Sequence, residues 1–172
     1  AFAGFYHFIL YLHKRKDFEL LCFTVFCIAV AIRGIMSNET YIMKVFPEMP
    51  FVVGSKIITS LIPVINISVL LYTYFIYKNK VLIKPIQILA GVNIVYLVIV
   101  LVFNSYIYSI IFNYYLLVVP IICFLALYPV GWSIKNGKAE SVVFISGAVF
   151  IVIGAFNDML YFFQLIDTGY WL

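Results

Sequence analysis

Long apolar runs alternate with short clusters of charge along this chain, and the charges fall between the runs rather than along one face of them. A helix needs about 20 apolar residues to cross a bilayer, so the pattern predicts successive membrane spans. The first run, Ala1 to Leu12, is too short to span and reads as the second half of a first helix. It has neither the charged start nor the small-residue cleavage site of a signal peptide. His13-Lys14-Arg15-Lys16-Asp17 closes it. Phe18 to Met36 predicts helix two, with Glu19 in its first turn, where the helix dipole favours an acid, and Arg33 near its far end.

Ser37 to Pro50 reads as a loop, because its Ser-Asn-Glu-Thr start, Pro47 and Pro50 all break a helix. Phe51 to Tyr77 predicts a third span of 27 residues, with Lys56 one and a half turns in and Pro63 expected to bend it. Lys78, Lys80 and Lys84 form the next loop. Pro85 to Phe103 predicts helix four, with Pro85 at its start, and Asn104-Ser105 leaves room only for a tight turn. Tyr106 to about Trp132 predicts helix five, kinked near Pro120. After the basic loop from Gly131 to Ser141, Val142 to about Phe163 predicts helix six, and a seventh helix barely begins. The expected fold is an all-α integral membrane bundle: five full spans plus partial first and last helices of a seven-helix domain. No linker or low-complexity tract interrupts it, so residues 1–172 read as one transmembrane domain, truncated at both ends.

Orientation follows from the positive charges. Lys14, Arg15, Lys16, Lys78, Lys80, Lys84, Lys135 and Lys138 fall in alternate loops, eight in all, whereas the opposite loops hold only Lys44. The basic set is therefore expected on the cytoplasmic side. Composition agrees with a membrane chain: 66% apolar and 10% charged, against roughly 25% charged in soluble domains. Because membrane topology already accounts for the net charge of +4, nucleic acid is not an expected partner. Cys22, Cys27 and Cys123 lie inside apolar runs without metal-ligand spacing and read as small buried hydrophobes.

Soluble-enzyme chemistry has little to work with. There is no phosphate-binding glycine pattern, no cysteine pair at zinc spacing and no glycine-flanked serine, and His7 and His13 are the only histidines. No cofactor, metal or catalytic residue is expected. Asn66, Asn93, Asn113, Asn157, Ser60, Ser68, Ser146 and Gln87 lie within spans and read as glue between helices. Several tyrosines, Tyr72, Tyr106 and Tyr108 among them, sit near span ends as interfacial anchors would. Asn38-Glu39-Thr40 fits an N-glycosylation acceptor, which would matter only in a secretory host.

Charges inside spans need a stronger reason. Asp158 lies about five residues inside helix six, and an ionised carboxylate in hydrocarbon costs about 2.5 to 3.5 kcal/mol unless it is paired. Arg33 and Lys56 fall at comparable depths, so Arg33, Lys56 and Asp158 form an expected intramembrane charge cluster, with Asn157 and Tyr161 as supporting polar residues. Long basic side chains can also snorkel outward, which a short aspartate does poorly.

Several stretches resemble bacterial seven-transmembrane receptors with diverse intracellular signalling modules. Gly4-Phe5-Tyr6-His7 through Leu10-Tyr11-Leu12 to Lys14-Arg15-Lys16-Asp17 is similar to the family's end of helix one and first inner loop. Leu21-Cys22-Phe23 through Ala31-Ile32-Arg33 is similar to its helix two. Gly154-Ala155-Phe156-Asn157-Asp158-Met159-Leu160-Tyr161, followed by Thr168-Gly169-Tyr170, resembles its Asn-Asp-hydrophobic-Leu-Tyr signature and the start of the last helix. One departure stands out: where members often show a Lys-Leu-Glu-Tyr-like stretch, this chain reads Lys56-Ile57-Ile58-Thr59, without the acid.

The resemblance implies a non-enzymatic sensory domain in a bacterial inner membrane. It would join an extracellular ligand-binding domain to a cytoplasmic histidine kinase, cyclase or phosphatase domain of the same chain, in a homodimer. A transporter or channel is the alternative. Transporters often carry repeats and helices broken near the midplane, whereas the charges here sit towards one surface and no repeat is evident.

Overall fold

The computed structural model describes residues 2–14, 17–37, 48–77, 80–135, 152–154, 156–161 and 163–167. Six helices are defined: α1 (Phe2–His13), α2 (Phe18–Ser37), α3 (Phe51–Tyr77), α4 (Lys80–Val102), α5 (Ser105–Tyr115) and α6 (Val118–Lys135). Residues 152–154 and 156–161 are also helical, and no strand occurs among the described residues. The chain divides into two compact units, Ala1–Phe112 and Asn113–Leu172. Three helices are long and apolar enough to cross a membrane, Phe18–Met36, Phe51–Ile76 and Leu82–Val102, and a fourth span results if α5 and residues Val118–Tyr128 count as one broken crossing. Most of the expected sixth span, the start of the seventh helix and the Asn38 acceptor lie outside the described residues.

Local signals set the helix starts. The Leu20 amide donates to the Asp17 carbonyl at 3.0 Å as α2 begins, and Glu19 lies in its first turn. The amides of Val53 and Gly54 donate to the Pro50 carbonyl at 2.9 and 3.2 Å, so Pro50 supplies the first acceptor of α3. Asn104 caps α5: its side-chain Oδ1 accepts from the Ile107 amide at 3.2 Å, which satisfies one of the donors every helix start leaves over.

Two elements differ from their expected form. Helix five is not continuous to Pro120. It ends at Tyr115 and resumes at Val118, with turn bonds from Leu117 to Tyr114 and from Val119 to Leu116. Proline has no amide proton and its ring crowds the carbonyl four residues earlier, so Pro120 disrupts the helix at Leu116 rather than at itself. Helix four starts at Lys80, five residues before Pro85, which lies inside it. The missing Pro85 donor would have served Val81 in the first turn, where a lost bond disturbs the helix least.

Packing in the first unit is antiparallel from α1 to α4. His7 of α1 meets Phe23 of α2 edge-on at 4.6 Å between ring centroids, while Tyr11 lies 6.5 Å from Phe18. Across the next pair, Phe18 stacks on Phe75 of α3 at 5.8 Å and Phe23 lies 5.6 Å from Tyr72. Tyr72 thus packs between helices as well as lying near a span end. At 27 residues α3 is about 40 Å long at 1.5 Å per residue, which exceeds the roughly 30 Å hydrocarbon core by an amount that tilt would absorb.

The helices are apolar outside and partly polar within. On α4, Leu82, Ile86, Asn93, Tyr96 and Val100 are buried at helical spacing, whereas Ile88, Val95, Val98 and Val102 are at least half exposed. Water would penalise that apolar exterior, and lipid does not. Buried polar residues include Thr24, Asn66, Ser68, Thr73 and Asn93.

Candidate functional site

Polar side chains inside a membrane helix must find acceptors close by, and several find them on their own helix. Thr24 donates to the Leu20 carbonyl, Ser68 to Val64 and Thr73 to Val69, each at 2.8 Å, and Ser60 donates to Ile57 at the same distance. The Asn93 amide donates to Leu89 at 2.7 Å. Ser60 and Ser68 were expected to join helices. Their hydroxyls instead turn back by three or four residues, because a short side chain reaches its own helix's carbonyls more easily than a neighbouring helix.

Polar contacts join three elements at one end of the first unit, where α3 starts, α4 ends and α5 starts. Ser55 Oγ and Tyr108 Oη share a hydrogen bond of 2.9 Å, and Tyr108 Oη also reaches Ser105 Oγ at 3.4 Å. The Tyr96 hydroxyl donates to the Tyr108 carbonyl at 3.5 Å, and Lys56 Nζ donates to the Leu101 carbonyl at 3.2 Å. A cation at the last turn of α4 complements the negative end of that helix. Tyr108 is only 2% exposed, so it is a buried joint between α5 and α3 rather than an interfacial anchor, while neighbouring Tyr106, 75% exposed, fits the anchoring role. Sequence position alone could not separate them, because two tyrosines two residues apart on a helix point to different sides. Ser55, Tyr96 and Asn104 carried no functional expectation, although an asparagine preceding an apolar run is a cap signal that could have marked Asn104.

Arg33 and Lys56 both belong to this first unit and are both half-buried. The aromatic register of α2 on α3 places Arg33 level with Leu61, about five residues or roughly 7.5 Å further along α3 than Lys56. They form a step rather than a single layer. Asp158 belongs to the second unit, on the helical segment 156–161, and is 8% exposed, while Asn157 is 7% exposed. Tyr161 is half-buried. Neither Arg33, Asp158, Asn157 nor Tyr161 is without a partner.

The Asp158 segment ends in a defined stop. Leu165 donates to Leu160 at 3.0 Å and Gln164 to Tyr161 at 2.9 Å, with Gln164 at φ 56°, the left-handed residue such a termination needs. Thr168-Gly169-Tyr170 lies outside the described residues. Among the described residues, no group of three or more His, Cys, Asp or Glu side chains could hold a metal.

Membrane-length helices with apolar exteriors and buried polar residues define an all-helical membrane domain. A family model described as 7TM diverse intracellular signalling matches residues 1–172, and the chain belongs to that family. No curated protein and no solved structure matches it.

Proposed function

We propose that this domain is the transmembrane transmitter of a bacterial receptor: it couples an extracellular ligand-binding domain to a cytoplasmic output domain, such as a histidine kinase or diguanylate cyclase, in a homodimer of the inner membrane. Besides family membership, the observation that carries this reading is the bonding of Thr24, Ser60, Ser68 and Thr73 to their own helices. Hydroxyls satisfied within a helix do not tie it to a neighbour, so helices can shift without stranding a polar group in hydrocarbon. Small helix shifts of this kind are an established means of switching.

Freezing α2 on α3 tests it. With Cys22, Cys27 and Cys123 replaced, cysteines placed at Phe18 and Phe75 and joined by a bifunctional reagent are expected to fix the output of the attached signalling domain in one state. Output that responds to stimulus as before, with the cross-link verified, would sink the coupling reading.

The proposed orientation puts the loops rich in lysine in the cytoplasm, on the strength of the eight-to-one count. In intact cells, a membrane-impermeant thiol reagent is expected to label a cysteine placed at Glu39 and to spare one at Asn136. The reverse pattern would invert the topology.

A further inference from the structure

At the end of the first unit formed by α3, α4 and α5 lies an open cleft of about 580 Å³, lined in part by Val52, Lys56, Val102, Phe103, Asn104 and Tyr106. Lys56 and Asn104 bring unused donors to it, beside the hydroxyls of Ser105 and Tyr106. An ammonium carries three N–H groups, and Lys56 commits one to the Leu101 carbonyl, with no other partner among the described residues. Asn104 turns its Oδ1 to the Ile107 amide, which only an oxygen can accept, so its NH₂ group faces away from the cap and has no partner among the described residues. Among the described residues, no acidic side chain lines the cleft. Its rim is apolar and open: Val52 is 50% exposed and Val102 69%, on helices long and apolar enough to lie in lipid.

Unused cationic and amide donors, no carboxylate among the described lining residues and an apolar rim on helices of membrane length together describe the binding requirements of an anionic amphiphile. We propose that this cleft holds the phosphate of an anionic phospholipid, with Lys56 and the Asn104 amide on the headgroup and Val52, Val102 and Phe103 against the first methylenes of the acyl chains. Lysine serves as a point charge for phosphate, and the donor left over at the Asn104 cap adds direction to it. The site rests on this chain being a membrane domain and not on its role as a receptor, so it stands or falls separately from signalling.

The test uses the purified chain in neutral maltoside micelles, with short-chain phosphatidylglycerol and phosphatidylcholine as probes and native mass spectrometry as readout. The wild type is expected to prefer phosphatidylglycerol by about tenfold, because phosphatidylcholine carries the same phosphate but with a trimethylammonium group that cancels its net charge and that the Lys56 cation repels. Lys56→Gln and Asn104→Asp should each reduce that preference to below about twofold, and Lys56→Arg should retain most of it. Asn104→Asp keeps the acceptor that caps α5 while replacing the donor with a negative oxygen, so its loss of preference cannot be attributed to uncapping. An unchanged thermal midpoint checks that each variant is folded. Equal binding of both lipids by the wild type, or an undiminished preference in folded Lys56→Gln and Asn104→Asp, overturns the proposal. Displacement of the lipid by millimolar inorganic phosphate also overturns it, since the ligand would then be a soluble oxyanion.

Discussion

Asp158→Ala is expected to destabilise the bundle by about 3 kcal/mol, measured as a shift in unfolding by a denaturing detergent, while Asp158→Asn should cost less because it keeps the shape and part of the hydrogen bonding. The expectation rests on burial: Asp158 is only 8% exposed, on a helix of a membrane domain. The sequence leads to the expectation that its carboxylate pairs with Arg33, Lys56 or both, and on that expectation the alanine leaves a cation uncompensated. The two candidate cations are not equivalent. Lys56 already donates to the Leu101 carbonyl, so losing the acid would not leave it without an acceptor.

A double-mutant cycle should therefore show stronger coupling of Asp158 with Arg33, about 1 to 3 kcal/mol, than with Lys56. Strict additivity of Asp158→Asn with both Arg33→Met and Lys56→Met would remove the charge cluster altogether. If coupling appears in stability while ligand-dependent output stays at the wild-type level, the bridge is a static staple rather than a switching element.

The second large effect is expected at Gly4. A β-carbon there would lie 3.0 Å from Cys27 Cβ and 3.5 Å from both the Thr24 carbonyl oxygen and Ile28 Cγ1, so α1 lies too close to α2 to admit even a methyl group without adjustment. Gly4→Leu must push the two helices apart and should cost about 2 to 3 kcal/mol, the upper range for overpacking a tight contact. Gly4→Ala should cost less, as the helices give by a few tenths of an ångström. Gly91 supplies the control, since nothing lies within 4 Å of its would-be β-carbon. Gly91→Ala is expected to be neutral or to stabilise by up to about 1 kcal/mol, through helix propensity alone. The same detergent titration checks both, and a Gly4→Leu protein as stable as wild type would mean that the α1–α2 contact is loose.

The sequence by itself determined the class and most of the helix limits. Apolar runs of membrane length bounded by charge leave a chain few choices, and Phe51–Tyr77 is helical over the whole predicted range. Family membership was legible too, because the Asn157-Asp158 signature and the arginine near the end of helix two are local patterns. Backbone chemistry that acts at a distance of one turn was not legible: Pro120 breaks the helix at Leu116, and Pro85 falls inside a helix it was expected to open.

Only the tertiary structure decided what each polar side chain does. In lipid, both faces of a helix can be apolar, so periodicity barely distinguishes the packed side from the exposed one, and a serine or tyrosine gives no sign of its partner. Rotation about the helix axis buries Tyr108 and exposes Tyr106. The register of α2 on α3 sets Arg33 deeper than Lys56, and the convergence of three helix ends gives Lys56 a carbonyl and brings it to the same cleft as Asn104. Depth along a span can be counted from the sequence. Direction around it depends on which neighbours pack there, and those neighbours are remote in the chain.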